Sequence, residues 1–262
     1  GKEEFIVKNL KKLLSIVVCI AMMVPTVAFA ATSSPAKVDV KSATAKSLTY
    51  NAKSQTTTIV VNGKTLTLNK DFKVVSGSLK ATKAGTYTVK IKGIGNYSGD
   101  TTVKYTVNAQ QSYKATAAAK TYNAKNQTTK VTVKYGNTVL KRGTDYKITG
   151  VTKAKNAGKY KITVKGINNY KGTKTIYYTI NKAAQKSVKV KVNASKKKIT
   201  VSGVKAKAKV TYKSANKKVK VKNGKITVGK GVKKGTKVRI TVKVAATKNY
   251  KAYSKSIIYK VK

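Results

Sequence analysis

The sequence predicts an all-β protein: tandem small β-sandwich domains behind an N-terminal signal peptide. Three observations carry this reading. A basic stretch, an apolar run and a small-residue site fill the first thirty positions. Sequence motifs recur between two successive units at an offset of 72 to 74 residues, and a third, more divergent unit follows. Within each recurring unit, apolar residues alternate with polar ones, the period of a strand with one face in a core and one in water.

The leader is read first. Lys8, Lys11 and Lys12 precede an apolar run from Leu13 to Val24, Pro25 breaks it, and Ala28-Phe29-Ala30 follows. That order is the pattern of a secretory signal peptide over residues 1–30, with the cut between Ala30 and Ala31. An uncleaved anchor is the rival, because Leu13 to Ala31 is 19 residues, about a bilayer's width. Pro25 and the Ala-Phe-Ala site favour cleavage. Cys19 follows Val18, larger than a lipoprotein acceptor box prefers, so it reads as part of the apolar run. The chain begins with Gly1 rather than Met, which leaves room for residues upstream. Residues 31–35 form a linker.

Three repeats follow, at 36–108, 109–181 and 182–262. Tyr50-Asn51-Ala52-Lys53-Ser54-Gln55 recurs as Tyr122-Asn123-Ala124-Lys125-Asn126-Gln127. Asp71-Phe72 recurs as Asp145-Tyr146, and Gly85-Thr86-Tyr87 as Gly158-Lys159-Tyr160. Gly93-Ile94-Gly95-Asn96-Tyr97 recurs as Gly166-Ile167-Asn168-Asn169-Tyr170. The third repeat diverges but keeps Asn249-Tyr250-Lys251. Such a period suits a small domain rather than a solenoid unit. Tyr87, Val89 and Ile91 face one way, as do Tyr160, Ile162 and Val164, and Val238, Ile240, Val242 and Val244. Asn62-Gly63 and Asn223-Gly224 mark hairpin turns. Short strands with frequent turns predict a β-sandwich in each repeat.

Composition excludes most chemistry. The chain holds 58 Lys+Arg against 6 Asp+Glu, no His and one Cys. A nucleophile–imidazole centre needs a histidine. A Cys/His zinc site and an internal disulfide need more cysteines. The expectation is a protein that is not an enzyme, without catalytic residues, metal or cofactor. Asp71 and Asp145 are expected to cap hairpin turns rather than bind calcium. Asp39 and Asp100 read as lone surface acids. Tyr97, Tyr170 and Tyr250 occupy one position in each repeat. They are expected to be structural corners, ring in the core and hydroxyl on nearby backbone, rather than a stacking row for sugars or bases.

The Tyr-x-x-x-x-Gln opening, the Gly-Thr-Asp-Tyr turn at 143–146 and the Gly-x-x-Asn-Tyr-x-Gly corner at 93–99 and 166–172 resemble the bacterial Ig-like modules of Gram-positive surface and secreted proteins. The third repeat is similar to the Lys-rich C-terminal Ig-like module of the same proteins. Its matching stretches are Val210-Thr211-Tyr212-Lys213-Ser214-Ala215-Asn216-Lys217-Lys218 and Lys230-Gly231-Val232-Lys233-Lys234-Gly235-Thr236. The resemblance covers nearly all of the chain after the leader. It implies Ig-like sandwiches outside a Firmicutes-type cell, with a binding, spacer or adhesive role. It implies no catalytic residue.

The lysines are the remaining signal. Without residues 1–30 the chain keeps 54 basic and 4 acidic residues. Solubility alone does not explain that ratio, since glutamate serves as well. Lysines two apart on a strand stand about 6.6 Å apart, within a Debye length of about 8 Å. A polyanion would relieve the repulsion. The candidate residues are Lys196, Lys197 and Lys198; Lys217 and Lys218, with Lys220 and Lys222 nearby; and Lys230, Lys233 and Lys234. Two arginines and no helix argue against base-specific DNA reading. The expected partners are anionic cell-wall polymers such as teichoic acid, or host polysaccharide, with nonspecific extracellular DNA as runner-up and no small-molecule substrate. The expected state is a secreted, wall-associated monomer with domains like beads on a string. The alternative is a passive spacer within a larger surface protein.

Overall fold

The computed structural model describes residues 33–262. The signal peptide and the Ala30–Ala31 cut lie outside the described residues. Among the described residues the regular structure is strands, apart from two short 3-10 turns at Val40–Ser42 and Lys205–Lys207. None of their helices is long and apolar enough to cross a membrane.

The third repeat is the most complete sandwich. Its seven strands divide into two antiparallel sheets. One holds Lys189–Asn193, Lys198–Ser202, Lys225–Val228 and Val219–Lys222, in that spatial order. The other holds Val210–Ser214, Lys237–Val244 and Tyr253–Lys260. Lettered along the chain, these are the ABED and CFG sheets of the Ig constant-type topology. The alternation that predicts the strands also fills the core. Val190, Ile199, Val219, Ile226, Val238, Ile240, Val242 and Tyr259 meet between the sheets. Each such side chain contributes roughly 1.5–3 kcal/mol by leaving water. Asn223 and Gly224, at φ of 49° and 77°, turn the Val219–Lys222 strand into Lys225–Val228, the left-handed pair that a two-residue hairpin requires. Lys255 sits at an inward position opposite Val242 on the edge strand Tyr253–Lys260, yet is exposed. An inward charge at a sheet edge discourages a further strand from pairing there.

The second repeat is a variant of the same design. Lys114–Ala117, Val131–Tyr135 and Thr138–Val139 form one sheet. Lys120–Thr121, Thr173–Asn181, Gly158–Gly166 and Tyr146–Gly150 form the other. Lys120–Thr121 runs parallel to the end of Thr173–Asn181, so the opening segment of the repeat contributes to both sheets. Tyr113, Val133, Leu140, Tyr146, Ile162, Val164, Tyr170, Tyr178 and Ile180 make the core.

The described residues fall into two compact units. One holds the described part of Gly1–Thr44 with Ile59–Gly77 and Val89–Val103. In it Val38–Asp39 runs parallel to Tyr97–Ser98, and Ile59–Val61 turns through Asn62 and Gly63 into Lys64–Thr65. Val40, Ile59, Val61, Phe72, Val89 and Ile91 are buried there. The other unit holds Ala45–Thr58, Ser78–Thr88 and Lys104–Lys262, and so includes the second and third repeats whole. Its share of the first repeat uses the pairings of the second. Gln55–Thr56 lies against Lys80–Ala81 as Gln127–Thr128 lies against Lys153–Ala154.

The repeated opening motif is a turn with its own clamp. Asn51 and Asn123 accept the backbone N–H of Lys53 and Lys125 through their side-chain oxygens, at 2.9 and 3.0 Å. Gln55 and Gln127 donate from Nε2 to the carbonyls of Thr49 and Thr121, both at 2.9 Å. The spacing between Tyr and Gln is thus the span of one self-bonded turn.

Candidate polyanion interface

The four-stranded sheet of the third repeat presents an outer face of lysine, threonine, serine and asparagine. Val and Ile occupy the inward positions, so the pleat points every alternate residue outward. Lys198 pairs with Lys225, and Lys225 pairs with Lys222. Three lysines therefore stand in one row across three strands, each step about 4.8 Å. Lys220 lies on the same face opposite Thr227, and Lys189 and Lys191 lie opposite Ser202 and Thr200. All six lysines are exposed. Every charged side chain of residues 182–262 is positive. Like charges directly opposite on adjacent strands repel, and this face carries two such contacts in a single row.

The lysine clusters conspicuous in the sequence do not form one patch. Lys196 and Lys197 turn the chain into the strand that Lys198 begins. The Ile226 N–H donates to the Lys197 carbonyl at 2.8 Å, which holds that turn beside the Lys222–Lys225 hairpin. Lys217 and Lys218 lead into the opposite end of the Val219–Lys222 strand. There the Gly229 N–H donates to the Lys218 carbonyl at 2.7 Å, and Lys218 Nζ lies over Gly231, next to Lys230. Lys233 and Lys234 lie at the other sheet, where the Gly235 N–H donates to the Val261 carbonyl at 2.8 Å. What spans the two ends of the four-stranded sheet is the strand lysines. Lys189, Lys191 and Lys225 were not singled out by sequence reasoning. Their signal was alternation within a strand rather than adjacency in the chain.

The acids are occupied locally. Asp71 Oδ2 accepts the Thr67 N–H and Asp145 Oδ2 the Lys141 N–H, each at 2.8 Å. The expectation of lone acids at Asp39 and Asp100 needs correction. Asp39 Oδ1 accepts the Lys41 N–H at 2.9 Å and caps the Val40–Ser42 turn. Asp100 Oδ2 lies 3.5 Å from Lys90 Nζ, with both side chains about half exposed, a pair worth little in open solvent. Among the described residues no three His, Cys, Asp or Glu side chains gather as a metal site would require.

Tyr97 and Tyr170 are buried, and Tyr250 is half-buried. Tyr170 meets Tyr50, Tyr113 and Tyr135 edge to face, with ring centroids 5.5, 6.1 and 6.0 Å apart. The hydroxyl-to-backbone ties expected of the corner tyrosines are found on other tyrosines. Tyr113 donates to the Gly172 carbonyl at 2.7 Å and accepts the Gly166 N–H at 2.9 Å. Tyr105 donates to the Ser78 carbonyl at 3.0 Å and Tyr160 to that of Asn156 at 2.6 Å.

The residues before Tyr170 and Tyr250 have a role that the sequence did not disclose. Asn169 Oδ1 accepts the Ala84 N–H at 2.9 Å, and Asn249 Oδ1 accepts the Ala157 N–H at 2.8 Å. Tyr122 lies edge-on to Tyr250 at 5.4 Å, as Tyr50 lies to Tyr170. The second and third repeats are therefore bonded to each other at their boundary as well as joined by the chain.

Burial raises the hydroxyl pKa of Tyr105, Tyr113, Tyr170, Tyr178 and Tyr212 above the ordinary phenol value. A group whose folded pKa is raised gives its full stabilisation below the unfolded value, about 10. That contribution is lost as pH climbs toward the folded value. Phenolate absorbance followed from neutral to strongly alkaline pH should therefore show a fraction of tyrosines that ionise only as the protein unfolds. Ionisation of every tyrosine with circular dichroism unchanged would contradict this.

No protein-family model and no curated protein matches the sequence. Among solved structures, the chain is similar to Drosophila N-cadherin EC1-4 at 11% identity, covering 84% of this chain and 73% of that one, with a TM-score of 0.26. It is similar to Sidekick-1 immunoglobulin domains 1-5 at 12% identity, covering 85% and 58%, with a TM-score of 0.24. At these scores the likeness carries no argument. The Ig-like sandwich rests on the strand order of the sheets themselves.

Proposed function

We propose that the protein works outside the cell as a non-enzymatic module that holds anionic polymers by lysine electrostatics, with cell-wall teichoic acid and other anionic glycans as the principal class. The observation that carries this is the Lys198–Lys225–Lys222 row on a face without a single acid. A row of repelling cations is a standing cost that a polyanion laid across the strands removes. Lysine is a strongly hydrated point charge, so the face neutralises phosphates or carboxylates without reading sugar or base identity. Wall association or adhesion follows from such binding. The leader pattern supports export, and the resemblance to Gram-positive surface modules supports the compartment.

A second reading, the passive spacer, is favoured by the bonded boundary at Asn249 and Tyr250. Binding to purified Gram-positive cell wall separates the two. The mature chain should sediment with wall that carries teichoic acid, come off with salt, and stay in solution with stripped wall. A chain that ignores both walls, and duplex DNA as well, is a spacer. Retention that survives high salt would overturn the electrostatic reading.

A further inference from the structure

A second cationic feature lies away from that face, in the second repeat. The outer side of the sheet formed by Lys114–Ala117, Val131–Tyr135 and Thr138–Val139 carries a cavity of about 420 Å³ lined by Ser112, Lys114, Thr116, Thr132, Lys134 and Gly136. Lys114 pairs directly with Lys134, and Thr116 directly with Thr132. The lining thus holds a like-charged cross-strand pair with a pair of hydroxyls beside it. Asp145, the acid of this repeat, is engaged by the Lys141 N–H in its own turn and leaves the pair unneutralised.

The first repeat has no lysine pair at the corresponding place. The Lys46 N–H donates to the Thr58 carbonyl as the Ala118 N–H does to Lys130, which fixes the correspondence of the two strand pairs. Counted from there, Ser42 and Asn62 take the places of Lys114 and Lys134, but Ser42 ends the Val40–Ser42 3-10 turn and Asn62, at φ of 48°, begins a hairpin turn, whereas both lysines lie in paired strands. Ser42 Oγ donates to Asn62 Oδ1 at 3.3 Å. The first repeat thus has a neutral bonded pair in turns where the second has two cations face to face on adjacent strands. The strand there is also longer, Val131–Tyr135 against Ile59–Val61.

We infer that this cavity binds the phosphate monoester of a small polyol or sugar. Lys114 and Lys134 hold the phosphate between them, and a dianion matches two opposed cations where a monoanion leaves one unbalanced. The Ser112, Thr116 and Thr132 hydroxyls can both donate to phosphate oxygens and accept from ligand hydroxyls. The volume falls in the lower part of the range for small-molecule pockets, about 300–1,000 Å³. It leaves room for more than the phosphate itself. Lysine lacks the fork of arginine, so selectivity falls on charge and on the hydroxyl contacts.

Titrating the isotope-labelled mature chain with glycerol phosphate at fixed physiological salt tests the site. Saturable amide shifts are expected at 112–116 and 132–136, weaker ones with inorganic phosphate, and none with glycerol. The pair Lys114→Ser with Lys134→Asn should weaken binding at least tenfold while the melting temperature holds or rises, because a directly opposed like-charge pair is removed. Lys198→Gln with Lys222→Gln and Lys225→Gln should leave these shifts unchanged, which keeps the site separable from the third-repeat face. Shifts spread over lysines of every repeat, equal response to glycerol, or parental binding by the Ser/Asn pair would overturn the inference.

Discussion

Replacing Lys198, Lys222 and Lys225 by Gln should flatten the salt dependence of polyanion binding more than replacing Lys217, Lys218, Lys233 and Lys234, although it removes one charge fewer. The reason is geometry. The first three stand in one row on a flat sheet, so one polymer segment can meet all of them at once. The other four are divided between turns of two different sheets. For duplex DNA as the probe, each phosphate neutralised contributes about 0.9 to the log–log salt slope. Six to ten phosphates correspond to roughly a 10³–10⁵ loss of affinity between about 50 and 200 mM salt. The row variant should therefore lose between two and three units of slope, each lysine meeting about one phosphate. It should also be more stable than the parent at low salt, because each opposed like-charge contact costs roughly 0.2–1 kcal/mol. Weaker binding together with higher stability marks a site that is kept for its ligand. Equal flattening by the two variants would mean that the charge acts as a diffuse cloud and that the row has no special standing.

The strands of this protein were legible in its sequence because nearly every one is half-buried. At Val238, Ile240, Val242 and Val244 the inward residues are aliphatic, and all four are buried. The turns were legible where Asn-Gly requires left-handed backbone, as at Asn223 and Gly224. The lysine row was not, because it is a property of register. Lys222 and Lys225 are three residues apart and Lys198 is far from both, and only the pairing of three strands aligns them. Clusters that are dense in the chain fall in turns, where neighbouring side chains splay apart. Asn169 and Asn249 were visible as part of a motif. Their bonds to Ala84 and Ala157 cross from one repeat to the next, and no spacing within a repeat encodes that. Tyr113 was missed altogether. It recurs in neither of the other repeats, yet its hydroxyl bridges Gly166 and Gly172 across the corner.

Tyr170→Ala should unfold or nearly unfold the second repeat, while Tyr170→Phe should be close to neutral. The ring is 4% exposed and packs on three other tyrosines. Truncating a buried aromatic side chain to alanine costs about 3–5 kcal/mol. A domain of this size has only about 0.05–0.15 kcal/mol per residue to lose, so the loss is a large part of the whole. Removing only the hydroxyl keeps the packing, and the ties to the corner backbone belong to Tyr113. Tyr113→Phe is therefore the more damaging of the two phenylalanine changes, at about 0.5–1.5 kcal/mol, since it removes the hydroxyl that braces the Gly166 N–H and the Gly172 carbonyl, while those two groups stay bonded to each other at 2.9 Å. Denaturant melts of the mature chain should rank the three as Tyr170→Ala, then Tyr113→Phe, then Tyr170→Phe. Polyanion affinity of the folded Tyr170→Phe variant should match the parent, because a ring enclosed by other tyrosines has no face to offer a sugar or a base. A Tyr170→Phe variant that folds normally but loses binding would make the corner tyrosines part of the ligand site. One that is as unstable as Tyr170→Ala would move the stabilising contact from the ring to the hydroxyl.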